Sequence, residues 1–361
     1  HIHDLWLQYS PPQAKPINGK IKVGAFEPII GLSASVSTSS MAFIERPSAA
    51  EVARNFAAGD SRSAIQLFGN GDIGAGGDQG LSAYWLASTA ITGGTVGTFN
   101  SAATSFNSQP FDEQKAWIGR FAVAPHDGTN WLAHFGVNYQ YVFRPADALG
   151  PDAAGTRYPF QLRDRPESRT DGTRFVDTGS INAKSAWVLG LEAAFQMQQF
   201  YVEGEYFKYA VNRYQPTALR NPRFDGWYVQ GSWVLTGEPR RYNQVNGAFD
   251  GPAVNFPFNP NAGTWGAWEL AARYSDLNLN YREGPPLTAP TADTIRGGEQ
   301  KIATIELNWY LNSVVMFKLG VSHVDIDRLA PSANFGGGTY PVGSQIGQDF
   351  NIVTLRSQLA F

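Results

Sequence analysis

Ile352-Val353-Thr354-Leu355-Arg356-Ser357-Gln358-Leu359-Ala360-Phe361 alternates to its last residue. Stepping back by twos from Phe361 gives Leu359, Ser357, Leu355 and Val353, while Ala360, Gln358, Arg356 and Thr354 hold the other parity. A β-strand sends successive side chains to opposite faces, so one face of this strand suits lipid and the other water. Phe361 is read as the aromatic that ends a membrane-inserting final strand at the lipid boundary.

The same period recurs upstream. In 131–143, Trp131, Ala133, Phe135, Val137, Tyr139, Tyr141 and Phe143 share a face opposite His134, Gly136, Asn138 and Gln140. Equivalent runs lie in 184–196, 225–236, 299–311 and 313–325, with weaker ones near 4–10, 19–27, 61–69, 79–89, 113–123, 199–211 and 264–275. With the final strand this makes 13, and the fold class expected is all-β, a transmembrane antiparallel β-barrel forming a single domain over 1–361. Bacterial barrels close with an even number of strands, so an odd count predicts that an odd number of strands precedes His1. If the last strand descends to the periplasm, segments 27–61, 89–113, 143–184, 211–225, 275–299 and 325–348 are exterior loops. The connections 10–19, 69–79, 123–131, 196–199, 236–264 and 311–313 are then interior turns, of which only 236–264 is too long for its place.

Composition agrees. The chain has 361 residues, 43% hydrophobic and 13% aromatic, with 38 Gly and a mean hydropathy of −0.27. No window approaches the 18 or more apolar residues of a spanning helix, which excludes a helical membrane protein. The absence of Cys excludes disulfides and thiolate metal sites. Residues 1–10 have neither a basic start nor an apolar core, so no signal peptide is read there. A net charge of −3 argues against a nucleic-acid-binding surface, yet the 28 cations comprise 20 Arg and 8 Lys. Arginine is the side chain whose planar fork suits oxyanions.

Several stretches resemble the phosphate-selective porin O and P family. They are KIKVGAFEPIIGL at 20–32 with FIER at 43–46, RPES and RFVDTG at 165–168 and 174–179, and GLEAAF at 190–195. LTGE at 235–238, GAWELAARYSDLNLN at 266–280, GGEQ at 297–300 and NWYLNS at 308–313 follow in order. The resemblance implies a homotrimer of 16-stranded barrels in the outer membrane, among lipid and lipopolysaccharide. Three strands would then precede His1. It also implies that the loops at 27–61 and 143–184 and the turn at 236–264 fold into the lumen, and that a ladder of arginines leads anions such as phosphate to a constriction.

The best match to that ladder is QLRDRPESR, with Arg163 and Arg165 two residues apart and Arg169 four further on. Spacing of two in an extended segment points both guanidiniums the same way. Arg157 and Arg174 flank them, and Arg46, Arg54 and Arg62 belong to the other inward loop or its border. The preceding alternate position is Gln161, where the family pattern tends to have a third arginine. Residues 143–184 also hold six Arg and six acids, so a purely structural role in holding the constriction loop stands beside the transport reading. Lys20, Lys22, Arg120, Arg144, Lys318 and Arg356 sit on the polar parity of their strands as lumen-wall cations. Glu192, Glu203, Glu205, Glu269 and Glu306 oppose them, which predicts transverse fields across the pore. FIERPSAAEVARNF, within 41–58, is expected to form a short helix.

No cofactor or metal is expected. His1 and His3 read as a solvated end, His126, His134 and His323 lack partners at ligand spacing, and no nucleophile, base and acid arrangement suggests an enzyme. The expected function is a passive diffusion channel for small hydrophilic solutes with anion preference. A structural or anchoring barrel, or a receptor with a blocked lumen, is the alternative.

Overall fold

Alternation alone would let these segments pair in any curvature; what fixes the shape is where their inner side chains meet. The structure, a computed structural model, describes residues 4–12, 18–59, 61–74, 82–96, 114–147, 158–170, 172–214 and 219–359. Thirteen strands form one sheet: β1 (Leu5–Tyr9), β2 (Asn18–Phe26), β3 (Arg62–Ile73), β4 (Ser82–Thr95), β5 (Lys115–His126), β6 (Trp131–Arg144), β7 (Ile181–Met197), β8 (Phe200–Arg213), β9 (Arg223–Val234), β10 (Ala267–Tyr281), β11 (Ile295–Tyr310), β12 (Val315–Asp327) and β13 (Asp349–Leu359). Each pairs antiparallel with its neighbours in sequence order, with β1 and β13 at the edges.

Burial along the strands is inverted relative to a soluble sheet. Leu191, Ile305, Val353 and Leu355 are at least half exposed, whereas Lys318, Glu269, His134 and Asn308 on the opposite face are at most 1% exposed. Such an apolar exterior is stable in lipid and not in water. Aromatic side chains band it at two levels. Trp131, Phe195, Phe200, Trp233, Trp268, Trp309 and Phe317 lie at the short-turn end, and Trp117, Tyr139, Trp187, Tyr206, Trp227 and Tyr274 lie nearer the long-loop end. Two such bands are the girdles that hold a barrel at the membrane interfaces.

Curvature follows from residues 31–46. Ser35 is reached by Arg120 of β5, Leu32 and Ser33 by Glu205 of β8, Glu45 by Arg273 of β10, and Ile44 by Glu306 of β11 and Arg356 of β13. Flat, β5 to β13 would spread over about 38 Å at the usual strand spacing. Contact with one short segment requires the sheet to curl around it as a barrel wall. The short-turn end is built locally. Asp127 accepts from the N–H groups of Thr129, Asn130 and Trp131, which holds its carboxyl below the ordinary range and closes the β5–β6 turn.

The inner face is not polar throughout. Near the long-loop end of β5–β11 it carries Val142, Val188, Phe207, Phe224, Leu277 and Leu279, which form one core with helix α1 (Ser48–Arg54) and with Phe160, Leu162 and Val176. All seven residues of α1 are buried. The helix begins only after Pro47, which ends the irregular anchored stretch 41–47 and suits the entry to a first helical turn. The helix is therefore shorter than the periodicity over 41–58 suggests.

Candidate functional site: two loop segments on the inner wall

The wall holds segment 27–59 by its backbone. Glu205 accepts from the N–H of Leu32 at 2.7 Å and of Ser33 at 3.0 Å, and from the Tyr228 hydroxyl at 2.7 Å. Gly31 makes this approach possible, since it has φ +67° and a Cβ there would lie 2.8 Å from the Glu205 oxygen. Glu306 accepts from the Ile44 N–H, Asn308 donates to the Ala42 carbonyl and Lys318 to that of Met41. Arg120 uses all its donor atoms: Nε and Nη2 bind Glu192, Nη1 binds the Ser35 hydroxyl and the Asn246 carbonyl, and Nη2 also binds the Gly247 carbonyl. It thus ties the long turn between β9 and β10 to the same junction. Gly136 faces Glu192 where a Cβ would lie 2.6 Å from the carboxylate, so the ion pair fits flat against the wall. That turn forms a hairpin, Arg240–Asn243 with Ala248–Pro252, joined to the wall by Arg240 and Glu269 at 2.5 Å.

Segment 158–179 lies beside α1. Arg163 pairs with Asp177 and Asp164 with Val176 in a two-rung ladder. Alternation then divides the side chains: Leu162 and Asp164 are buried against the apolar core side, and Arg163 and Arg165 are half-buried on the other. The Nε atoms of Arg163 and Arg165 have no hydrogen-bond partner, and among the described residues neither guanidinium is in an ion pair. Arg174 is close enough that, after burial, these two arginines act to lower its pKa.

The other expected ladder residues are committed to the loops themselves. Arg169 bridges Glu45 at 3.1 Å and Glu51, joining the two segments. Arg54 pairs with Glu27 and Glu51, Arg46 donates to the carbonyls of Ser33 and Val36, and Arg62 to those of Gly59 and Arg54. Arg46, Arg54 and Arg62 are at most 6% exposed. Burial would raise the Glu51 carboxyl, but Arg54, Arg169 and Arg46 outweigh it and hold Glu51 below its usual range. Arg174 donates to the Gly172 carbonyl. Arg157 and Phe361 lie outside the described residues.

Of the wall cations, Arg120 and Lys318 are buried in loop contacts, and Arg356 donates to the Ile44 carbonyl. Lys20 rests over the Phe68 ring and Lys22 over those of Trp6 and Phe26, while Arg144 stands exposed beside Tyr158. Sequence reading missed Arg273, which pairs with Glu167 at 2.5 Å, and Arg328, which donates to the carbonyls of Phe175 and Asp177. Arg273 was legible, since it shares the inward parity of Glu269. Arg328 lies beyond the alternating run of its strand and gave no signal.

A curled antiparallel wall, oily outside and charged inside, with chain segments packed within it, defines a transmembrane β-barrel of the porin type. The chain belongs to the phosphate-selective porin O and P family, whose model matches residues 1–361. It is 26% identical over 325 residues to Porin O of Pseudomonas aeruginosa, a match covering 87% of this chain and 66% of that protein. It is 28% identical over 218 residues to an uncharacterized protein of Caulobacter vibrioides, covering 60% of this chain and 38% of the relative. The chain thus spans just under two-thirds of one curated relative and well under half of the other.

Proposed function

We propose that the protein is an outer-membrane diffusion channel for small hydrophilic solutes, that anions are favoured, and that Arg163 and Arg165 are the groups they pass. The observation that carries this reading is the contrast between that pair, in no ion pair among the described residues, and Arg54, Arg120, Arg169, Arg240 and Arg273, each neutralised by a carboxylate. Two forks about 6.6 Å apart along an extended segment offer successive bidentate sites to an oxyanion. Neighbouring sites of similar energy let an ion be handed on, whereas one deep site would retain it. Arg169 and Arg174 would add to the field at the approach. Family membership supports phosphate as a solute, a homotrimer as the assembly and lipopolysaccharide as the outer lipid contact. It also supports segments 27–61, 143–184 and 236–264 as the elements that narrow the lumen.

The apolar core around α1 favours a second reading, a structural barrel whose lumen is filled. Planar-bilayer recording of the purified protein separates the two. Stable current steps support the channel; silence at protein densities that give insertion supports the filled barrel.

A further inference from the structure

Three acids gather behind the arginine pair, and they are not equivalent. Glu51 on α1 is paired with Arg54 and Arg169, and Glu167 with Arg273. Asp164, 5% exposed, has no ion-pair partner among the described residues. The Ser48 hydroxyl, which donates to the Arg165 carbonyl, and the Arg165 amide stand beside it and favour its ionised form. Glu51 faces it from α1, Glu167 and Arg174 from its own loop, Tyr209 from β8, and Gln300 of β11 holds Ser48 at 2.7 Å. In sequence it stands between Arg163 and Arg165 and points the opposite way.

Resting on the channel reading above, we propose that Asp164 is a proton-operated control on anion preference. Protonated, it leaves the Arg163 and Arg165 pair with its full positive charge; ionised, it sets one negative charge directly behind them. Arginine does not titrate in the working range, and Arg54 and Arg169 hold the Glu51 carboxylate ionised, so the proton goes to the buried Asp164, which has no such partner. Burial first, and the nearby Glu51 charge second, raise its carboxyl well above the ordinary range, against the Arg165 amide and the Ser48 hydroxyl, which favour the ionised form.

The test is the anion-to-cation permeability ratio of the purified protein in planar bilayers under a potassium chloride gradient, from pH 5 to pH 9. The ratio should fall about sevenfold as pH rises, because one unit charge roughly 7 Å from the permeating ion in a water-like dielectric weighs about threefold against the anion and about threefold in favour of the cation. Asp164→Asn fills the same space without a titratable group and should hold the low-pH ratio throughout. Ser48→Ala removes a neighbouring hydroxyl that favours the ionised form and should move the midpoint to higher pH. A wild-type ratio flat across this range overturns the proposal, as does an Asp164→Asn variant that still titrates. Arg163→Ala/Arg165→Ala at pH 5 separates the two levels. Lost selectivity there beside a flat wild-type profile removes only Asp164; unchanged selectivity removes the channel reading and this control with it.

Discussion

Glu205→Ala is the sharpest perturbation of the loop seating. The carboxylate receives the Leu32 and Ser33 amides and the Tyr228 hydroxyl, all buried. Truncation leaves three donors without an acceptor in a site built around one. At about 1–3 kcal/mol for each unsatisfied buried group, the seated conformation of residues 31–36 loses roughly 3–9 kcal/mol, with water entry at the low end. Glu205→Gln keeps one oxygen and should lose about half of that. Losses of this size exceed what holds most local segments shut, so the segment should open without unfolding of the barrel. Amide hydrogen exchange in detergent reads the effect directly. Leu32 and Ser33 should exchange at least a hundredfold faster in Glu205→Ala, while the wall amides of β8 and β9 stay protected. Bilayer currents of the same variant should become noisy. Unchanged exchange at Leu32 and Ser33 would refute the claim that wall carboxylates carry the loop.

Other outcomes follow from the same contacts. Arg120→Ala strands the buried Glu192 and releases Ser35, Asn246 and Gly247 together, so it should cost about 3–5 kcal/mol and lower the unfolding temperature in detergent more than Arg356→Ala does. Phe56→Ala opens the core where Phe56 packs edge-on to Phe160 at 5.0 Å; a loss of about 3–5 kcal/mol should appear as proteolysis within 41–58 while the strands remain intact. Glu51 has a folded pKa below its unfolded value, so its stabilising effect is present above the ordinary carboxylate range and is lost as pH falls through the folded value. Arg169→Ala removes one of the charges that depress it, and acid-induced exposure of α1, followed by proteolysis, should then begin at higher pH. Leu191→Arg places a charge on the lipid face at a cost of about 2–4 kcal/mol and should reduce folding yield into vesicles.

The wall was legible because lipid on one side and buried charge on the other force a strict two-residue period. All thirteen runs correspond to strands, and the errors fall at their ends. β4 continues to Thr95 through Ala90-Ile91-Thr92-Gly93-Gly94, which has little apolar signal yet pairs with β3 and β5. β10 runs to Tyr281 past Asp276 and Asn278, outward polar residues at and beyond the upper aromatic band, where the lipid constraint fades. The candidate site was legible only in part. Spacing placed Arg163 and Arg165 on one side of an extended segment, but the carboxylates that neutralise Arg120 and Arg169 lie far along the chain. Glu205 and Glu306 read as sources of a transverse field because their parity is visible in sequence, whereas the amides they receive are set by tertiary placement alone.

The central claim is that Arg163 and Arg165, in no ion pair among the described residues where Arg54, Arg120, Arg169, Arg240 and Arg273 are each neutralised by a carboxylate, set the ionic preference of the passage. Reversal potentials under a potassium chloride gradient, recorded at pH 5 for the wild type and for Arg163→Ala/Arg165→Ala, test it most directly. The account predicts an anion-favouring potential in the wild type that moves to or past zero in the double variant. Equal potentials in the two proteins would contradict it.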